Sequence, residues 1–154
     1  MSRALLAFLL TISVSLSAVA IAPIEKQTEQ TALFREILDR LATRHYRGQD
    51  INDELSQRYL STYIEMLDPL KSYFLQSDIE EFNQWSTKLD DLARRGDVAP
   101  GFVMFNRLRD RLLEQLQANI ALLESDYEFD YSVDETLVLD GEERQWMLTD
   151  SEQR

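Results

Sequence analysis

Apolar residues in the first half of the chain recur with the three- and four-residue spacing of amphipathic helices. This spacing predicts a first helix between Gln27 and His45, whose apolar face is Leu33, Phe34, Ile37, Leu38, Leu41 and His45. A second helix is predicted after the break at 47–50, capped by Asp50 or Asn52, with the face Ile51, Leu55, Tyr59, Tyr63, Ile64 and Leu67. It must end at Asp68, because Pro69 has no N–H to donate and disfavours helical backbone in the residue before it.

Residues 69–76 form a short connector that is too apolar for a simple solvent-exposed loop, so we expect it to be tucked under the helices. The run 77–80 then has the spacing of a capping box, in which Ser77 caps a helix and Glu80 reaches back. A third helix is therefore predicted as far as Arg95, with Gly96 in the left-handed position that closes it. Its apolar face is Ile79, Phe82, Trp85, Leu89 and Leu92.

A longer fourth helix is predicted to open at Pro100 and Gly101, with the apolar face Phe105, Leu108, Leu112, Leu116, Ile120 and Leu123. Three arginines on it fan around the axis at about 100° per residue, which favours ordinary surface charge for Arg107, Arg109 and Arg111. Beyond Ser125 the period changes to two, which indicates an extended segment, either a strand or an arm laid on the bundle. The turn at Asp140-Gly141 continues this segment.

The chain begins with the features of a secretory signal peptide. Arg3 precedes an uncharged, largely apolar stretch over 4–22, and small residues at Ala18-Val19-Ala20 favour cleavage after Ala20. Cleavage after Ala22 would place Pro23 just beyond the cut, and an uncleaved anchor would barely reach the roughly 20 residues that a bilayer needs. We therefore expect an exported domain.

These patterns together predict the fold class and the division of the chain. The expected class is all-α: a helical-hairpin bundle of about four helices with an extended C-terminal segment. The expected parts are a signal peptide over 1–20, a helical domain over 21–125 and an extended segment over 126–154.

Composition excludes several kinds of function. The 16 Lys and Arg residues against 28 Asp and Glu give a net charge of −12, which argues against a nucleic-acid-binding protein. The absence of cysteine excludes disulfides, zinc–thiolate sites and thiol nucleophiles. Four glycines leave no phosphate-binding glycine loop, and the single histidine, His45, has neither a nucleophile nor an orienting partner nearby in the sequence.

Three further sets of residues have spacing that could suggest chemistry. Lys71 lies beside Ser72, and Ser86 lies near Lys88, but adjacent side chains do not face each other on a helix and no glycine-rich oxyanion turn surrounds either pair. The carboxylates Asp126, Glu128 and Asp130 share one face of the extended segment, where half-burial of the alternating aromatic residues explains them better than calcium. We therefore predict no catalytic, cofactor-binding or metal-binding residue.

Several runs of the sequence resemble the N-terminal helical domain of bacterial tail-specific (carboxy-terminal processing) serine proteases. They are Leu41-Ala42-Thr43-Arg44-His45-Tyr46 and Leu67-Asp68-Pro69-Leu70-Lys71-Ser72-Tyr73-Phe74-Leu75-Gln76-Ser77-Asp78-Ile79, followed by Phe82. The stretch 127–131 and Trp146 are similar to the segment that comes after those helices in that family. The resemblance covers roughly residues 28–154 and is most specific from Asp68 to Ile79.

The resemblance implies a periplasmic serine endopeptidase that recognises protein substrates by their apolar C-terminal tails. In that family a PDZ domain captures the tail and a serine–lysine dyad cuts it without a metal cofactor. Neither part is found in these 154 residues, so the chain is expected to be the N-terminal fragment of such a protease, inactive alone. Its expected role is a non-catalytic scaffold that packs beside the protease core.

The same resemblance implies further partners and a location. In some relatives the helical domain helps to dock a tetratricopeptide-repeat lipoprotein adaptor, and association with the inner membrane would fit that role. The alternative interpretation is a stand-alone exported helical module that binds a protein partner without enzymatic activity.

Overall fold

A computed structural model of the chain describes residues 22–44, 50–128, 130, 132, 134 and 136–149. These residues contain a short 3₁₀ turn, Asn83–Trp85, and no β-strand. Their α-helices are α1 (Thr28–Arg44), α2 (Asp53–Leu67), α3 (Gln76–Phe82), α4 (Leu89–Arg94) and α5 (Ala99–Leu123). The all-α fold class is confirmed. The predicted signal peptide and His45 lie outside the described residues.

The core is built from α2, the connector, α3 and the first half of α5. Its buried members are Leu60, Ile64, Phe74, Phe82, Met104 and Leu108. The rings of Phe74 and Phe82 pack edge to face, since their centroids are 5.3 Å apart with the planes at 83°. Burial of Phe74 and Leu75 confirms that the connector is tucked under the helices, although Leu70 is exposed.

Helix α2 begins and ends where the sequence predicts, but its buried edge differs from the predicted one. Asn52 caps the helix by accepting the N–H of Leu55 at 3.0 Å. The buried residues are Ser56, Leu60 and Ile64, whereas Tyr59 is 58% exposed. A serine is tolerated in the core here because its hydroxyl both accepts and donates a hydrogen bond.

The predicted third helix is wrong as one continuous element, because the chain forms α3, the 3₁₀ turn and α4 instead. Helix α3 begins at Gln76, so Ser77 is not its cap. A new helix starts at Leu89 because Ser56 on α2 supplies a partner for its first turn. The Ser56 hydroxyl accepts the N–H of Asp90 at 2.8 Å and donates to the Asp90 carboxylate at 2.9 Å.

The end of α4 was predicted correctly. Gly96 has φ of 72° and donates its N–H to the carbonyl of Ala93 at 2.8 Å. Asp97 donates to the carbonyl of Leu92, also at 2.8 Å. These two bonds form the Schellman motif, for which glycine is favoured because it has no Cβ.

Helices α1 and α5 bury less of their predicted apolar faces than expected. On α5 the core residues are Pro100, Met104 and Leu108, all in its first three turns. The rest of its predicted face is exposed, namely Phe105, Leu112, Leu116, Ile120 and Leu123. On α1, Leu33, Ile37 and Leu41 are exposed and only Phe34 and Leu38 of the described face are half-buried. Within the described part of the chain, the other elements therefore cover only part of the apolar face of α1 and part of that of α5.

None of the helices in the described part of the chain combines the length and the apolar character that crossing a membrane requires.

Candidate functional site

The connector folds around the carboxylate of Asp68, which is buried. One carboxylate oxygen accepts the N–H of Ser72 at 2.8 Å, and the other accepts those of Tyr73 and Phe74 at 2.8 and 2.9 Å. Lys71 turns the chain through a positive φ of 50°. A buried carboxylate that accepts three backbone N–H groups replaces the hydrogen bonds that this non-helical segment would otherwise lack.

Residues 140–147, which we call the arm, return to this connector. Asp140 closes the turn at their start, accepting the N–H of Glu142 on its side chain at 2.9 Å and that of Glu143 on its carbonyl at 3.2 Å. At Gly141 the backbones approach so closely that an added Cβ would lie 1.9 Å from the carbonyl oxygen of Pro69. Only glycine fits at this position of the arm.

Side chains fasten the rest of the arm to the connector. Lys71 donates to the carbonyl of Arg144 at 2.7 Å, and Arg144 in turn donates to the Ser72 hydroxyl at 3.0 Å. The Lys71 ammonium also lies 5.7 Å from the ring centroid of Trp146. The indole packs on Phe74 with 6.2 Å between centroids. We call this set of contacts the connector–arm junction.

The junction ends in a single backbone bridge at the start of α3. Leu75 and Met147 pair in parallel, and the N–H of Gln76 donates to the carbonyl of Met147 at 2.8 Å. The extended segment therefore does lie on the bundle as an arm over these residues.

The other side of α3 carries a buried ion-pair cluster centred on Asp78. This carboxylate is fully buried and accepts from Arg111 at 2.9 and 3.1 Å, from Arg107, and from the N–H of Leu75 at 3.0 Å. Arg107 also donates to Glu81 at 2.7 Å. Burial acts to raise the pKa of Asp78, but the hydrogen bonds from Arg111, Leu75 and Arg107 outweigh burial and lower the pKa.

This cluster was not predicted from the sequence. Arg107, Arg109 and Arg111 were predicted to be ordinary surface charge. This is wrong for Arg107 and Arg111, because both are bound to a buried carboxylate, and wrong for Arg109, whose side chain pairs with Asp110 but is only 15% exposed. In the capping box it is the side chain of Asp78, and not that of Glu80 as predicted, that accepts a backbone N–H at the start of α3, from Leu75. The four-residue spacing of the two arginines, which places them on one face of α5, was the signal that could have indicated a shared acidic partner.

Of the two residue pairs that could suggest a serine–lysine dyad, the first has its side chains bound to the arm. Lys71 and Ser72 both bind Arg144, one through its backbone and the other through its side chain. Ser86 and Lys88 lie in the turn before α4, where their N–H groups donate to the carbonyls of Asn83 and Trp85. The contacts of Lys71 and Ser72 hold the arm in place.

The acidic face of the extended segment is solvent-exposed where it is described. The predicted half-burial is wrong for Tyr127, which is 58% exposed, while Phe129 and Tyr131 lie outside the described residues. Hydrogen bonds from the hydroxyl and the N–H of Ser132 lower the pKa of Asp130. Across the described part of the chain, no three acidic or histidine side chains come together as a metal site.

Comparison with known proteins decides the family. The family model described as the tail specific protease N-terminal domain matches residues 37–154. The chain belongs to this family. The tail-specific protease of Haemophilus influenzae is 29% identical over 127 residues, which are 82% of this chain and 18% of that relative. The tail-specific protease N-terminal domain therefore includes the connector, the Asp78 cluster and the arm, and the chain spans about a fifth of its relative's length.

Proposed function

We propose that this chain is the non-catalytic helical scaffold at the N-terminus of a periplasmic tail-specific serine endopeptidase. The observation that carries the proposal is the family match, which runs from α1 through the arm without covering a protease core. The relative has most of its length outside the matched region. Capture of apolar C-terminal tails by a PDZ domain and cleavage by a serine–lysine dyad would belong to that remaining length.

The connector–arm junction suggests what the scaffold contributes. The arm is held at a glycine contact, at an aromatic contact and at a backbone bridge, all on the connector and the start of α3. Such a junction fixes the direction in which the chain continues beyond the helices. We infer that it orients the protease core relative to the bundle, after export directed by a signal peptide over 1–20.

A chimera tests this role. The region of the Haemophilus influenzae protease that matches this chain is deleted, or replaced by this chain, and cleavage of a protein with an apolar C-terminal tail is compared with cleavage of the same protein with a charged tail. We expect the chimera to cleave the apolar-tailed protein, and the deleted protease and this chain alone to cleave neither. A soluble chimera without activity, or activity of this chain alone, would contradict the proposal.

The second candidate is a stand-alone exported module that binds a protein partner. The exposed apolar residues on the C-terminal half of α5 favour it, because such a face is more stable when covered. The same chimera separates the two candidates, since a stand-alone module would not restore cleavage. A tetratricopeptide-repeat lipoprotein adaptor is a proposed partner in either case.

A further inference from the structure

Asn106 on α5 binds the backbone of the segment that precedes α1. Its side-chain carbonyl accepts the N–H of Ile24 at 3.0 Å, and its side-chain amide donates to the carbonyl of the same residue, also at 3.0 Å. One side chain thus satisfies both backbone groups of a single residue, as a neighbouring strand would. This kind of contact recognises an extended backbone and makes no use of the Ile24 side chain, which is 49% exposed.

A second contact two residues later adds a charge preference. The Lys26 ammonium lies 3.4 Å from a carboxylate oxygen of Asp97, just before α5 begins. Side chains two positions apart lie on the same side of an extended chain, so a peptide clamped at Asn106 presents its next-but-one side chain to Asp97. The net charge of −12 also favours a basic peptide over an acidic one.

The segment that occupies this surface is held weakly. Both Asn106 hydrogen bonds are solvent-exposed, and so is the ion pair. Water competes for such bonds, so each adds little net stability. Between Ile24 and Lys26 the chain runs from Asn106 towards Asp97, and the C-terminal half of α5, where Leu116 and Ile120 are exposed, lies beyond Asn106 in the opposite direction.

We propose that Asn106 and Asp97 form a binding site for an extended peptide of another polypeptide, with a basic residue two positions after the clamped one. Residues 22–27 occupy the site in cis and leave when the other peptide binds. Asn106 binds the backbone N–H and carbonyl of the clamped peptide residue, and Asp97 pairs with the basic side chain two positions later. The apolar half of α5 would receive the residues that precede the clamped one.

The test is a nuclear magnetic resonance titration of the full, ¹⁵N-labelled chain with the acetylated hexapeptide of residues 22–27. We expect the side-chain amide signal of Asn106 to shift while that of Asn119 stays in place. Ile24→Pro removes the competing N–H in cis, so this variant should bind the peptide about fivefold more tightly. Asn106→Ala should abolish shifts of the α5 backbone signals, whereas Asn119→Ala should keep them.

Two altered peptides make the test specific. Methylation of the isoleucine nitrogen removes the donated N–H, and replacement of the lysine by glutamate reverses the charge; both should weaken binding at least several-fold. The proposal is overturned when the methylated peptide binds as well as the parent, or when Ile24→Pro binds no peptide. Because no proteolysis is measured, either result leaves the proposed scaffold role unaffected.

Discussion

Asp68 and Asp78 are both buried, and their carboxylates accept hydrogen bonds from different kinds of donor. Asp68 accepts three backbone N–H groups and shapes the connector. Asp78 accepts from two arginines and one backbone N–H, and so joins α3 to α5. Neither role follows from the local sequence around the aspartate, because an aspartate beside a proline or near a helix start is equally typical of an exposed turn or cap. The spacing of Arg107 and Arg111 indicates a shared acidic partner but does not identify it as Asp78.

Removing the charge of Asp78 should cost more stability than removing the charge of its neighbour Glu81. Asp78→Asn leaves Arg107 and Arg111 without their shared buried partner, so we expect a loss of about 3 kcal/mol in the free energy of unfolding. Urea denaturation followed by circular dichroism measures it. The matched control is Glu81→Gln, which breaks an exposed pair to Arg107 and should cost less than about 1 kcal/mol. Equal losses would contradict the central position of Asp78.

The same residue predicts how stability changes in acid. The pKa of Asp78 is lower in the folded chain than its unfolded value of about 4, so the unfolded chain takes up the proton first as the pH falls. The stabilisation is complete above about pH 4 and is lost as the pH falls through the lower, folded pKa. Urea midpoints measured across the acid range should therefore fall less steeply for Asp78→Asn than for the parent chain. If the urea midpoints of Asp78→Asn and of the parent chain fall in parallel with pH, Asp78 does not contribute to the loss of stability in acid.

At the scale of elements, the predicted helix ends agree best where a local signal sets them. Pro69 stops α2, Asn52 caps it, and Gly96 closes α4, as their chemistry predicts. The break before α4 was missed because its cause is a tertiary contact, the Ser56 hydroxyl on α2. A prediction from apolar periodicity alone therefore extended one helix across that break.

The Ser56 contact can be tested by its removal. Ser56→Ala takes away the acceptor for the Asp90 N–H and the donor to its carboxylate, so we expect a loss of about 1–2 kcal/mol, within the range of a lost helix cap. Thermal unfolding measures the change. Ser61→Ala on the exposed side of the same helix, where the hydroxyl bonds to the carbonyl of Arg58, should change stability by less than half as much. A larger effect at Ser61 would argue against the capping role.

At the scale of the whole molecule, the fold class and the buried connector follow from the sequence, and the family follows from the motif over 68–79. The exposed faces of α1 and α5 do not follow, because periodicity shows that a face is apolar but not whether another element covers it. The docking of the arm was left open between a strand and an arm. The place where the arm packs depends on contacts between residues far apart in sequence, such as Pro69 and Gly141.

A single methyl group should release the arm. Gly141→Ala places a Cβ against the Pro69 carbonyl, so the arm must leave and Trp146 becomes solvent-exposed. We expect a red shift of tryptophan emission, with Trp146→Phe identifying which of the two tryptophans reports it. Gly101→Ala is the control, because its added Cβ has room and a helical glycine-to-alanine change is neutral or stabilising. Unchanged emission in Gly141→Ala would show that the arm is not seated by this contact.

The connector–arm junction also has a consequence for the order of folding. Lys71 and Arg144 are 73 positions apart, and the helices of the described chain all lie between Thr28 and Leu123. A chain made from its N-terminus therefore has each of these helices available before the arm leaves the ribosome. Until the arm is made, the ring of Phe74 lacks its contact with the ring of Trp146. We expect arm closure to be the last event in folding and the first to reverse, so that native-state hydrogen exchange would detect the Gln76 amide opening before those of the α2 core.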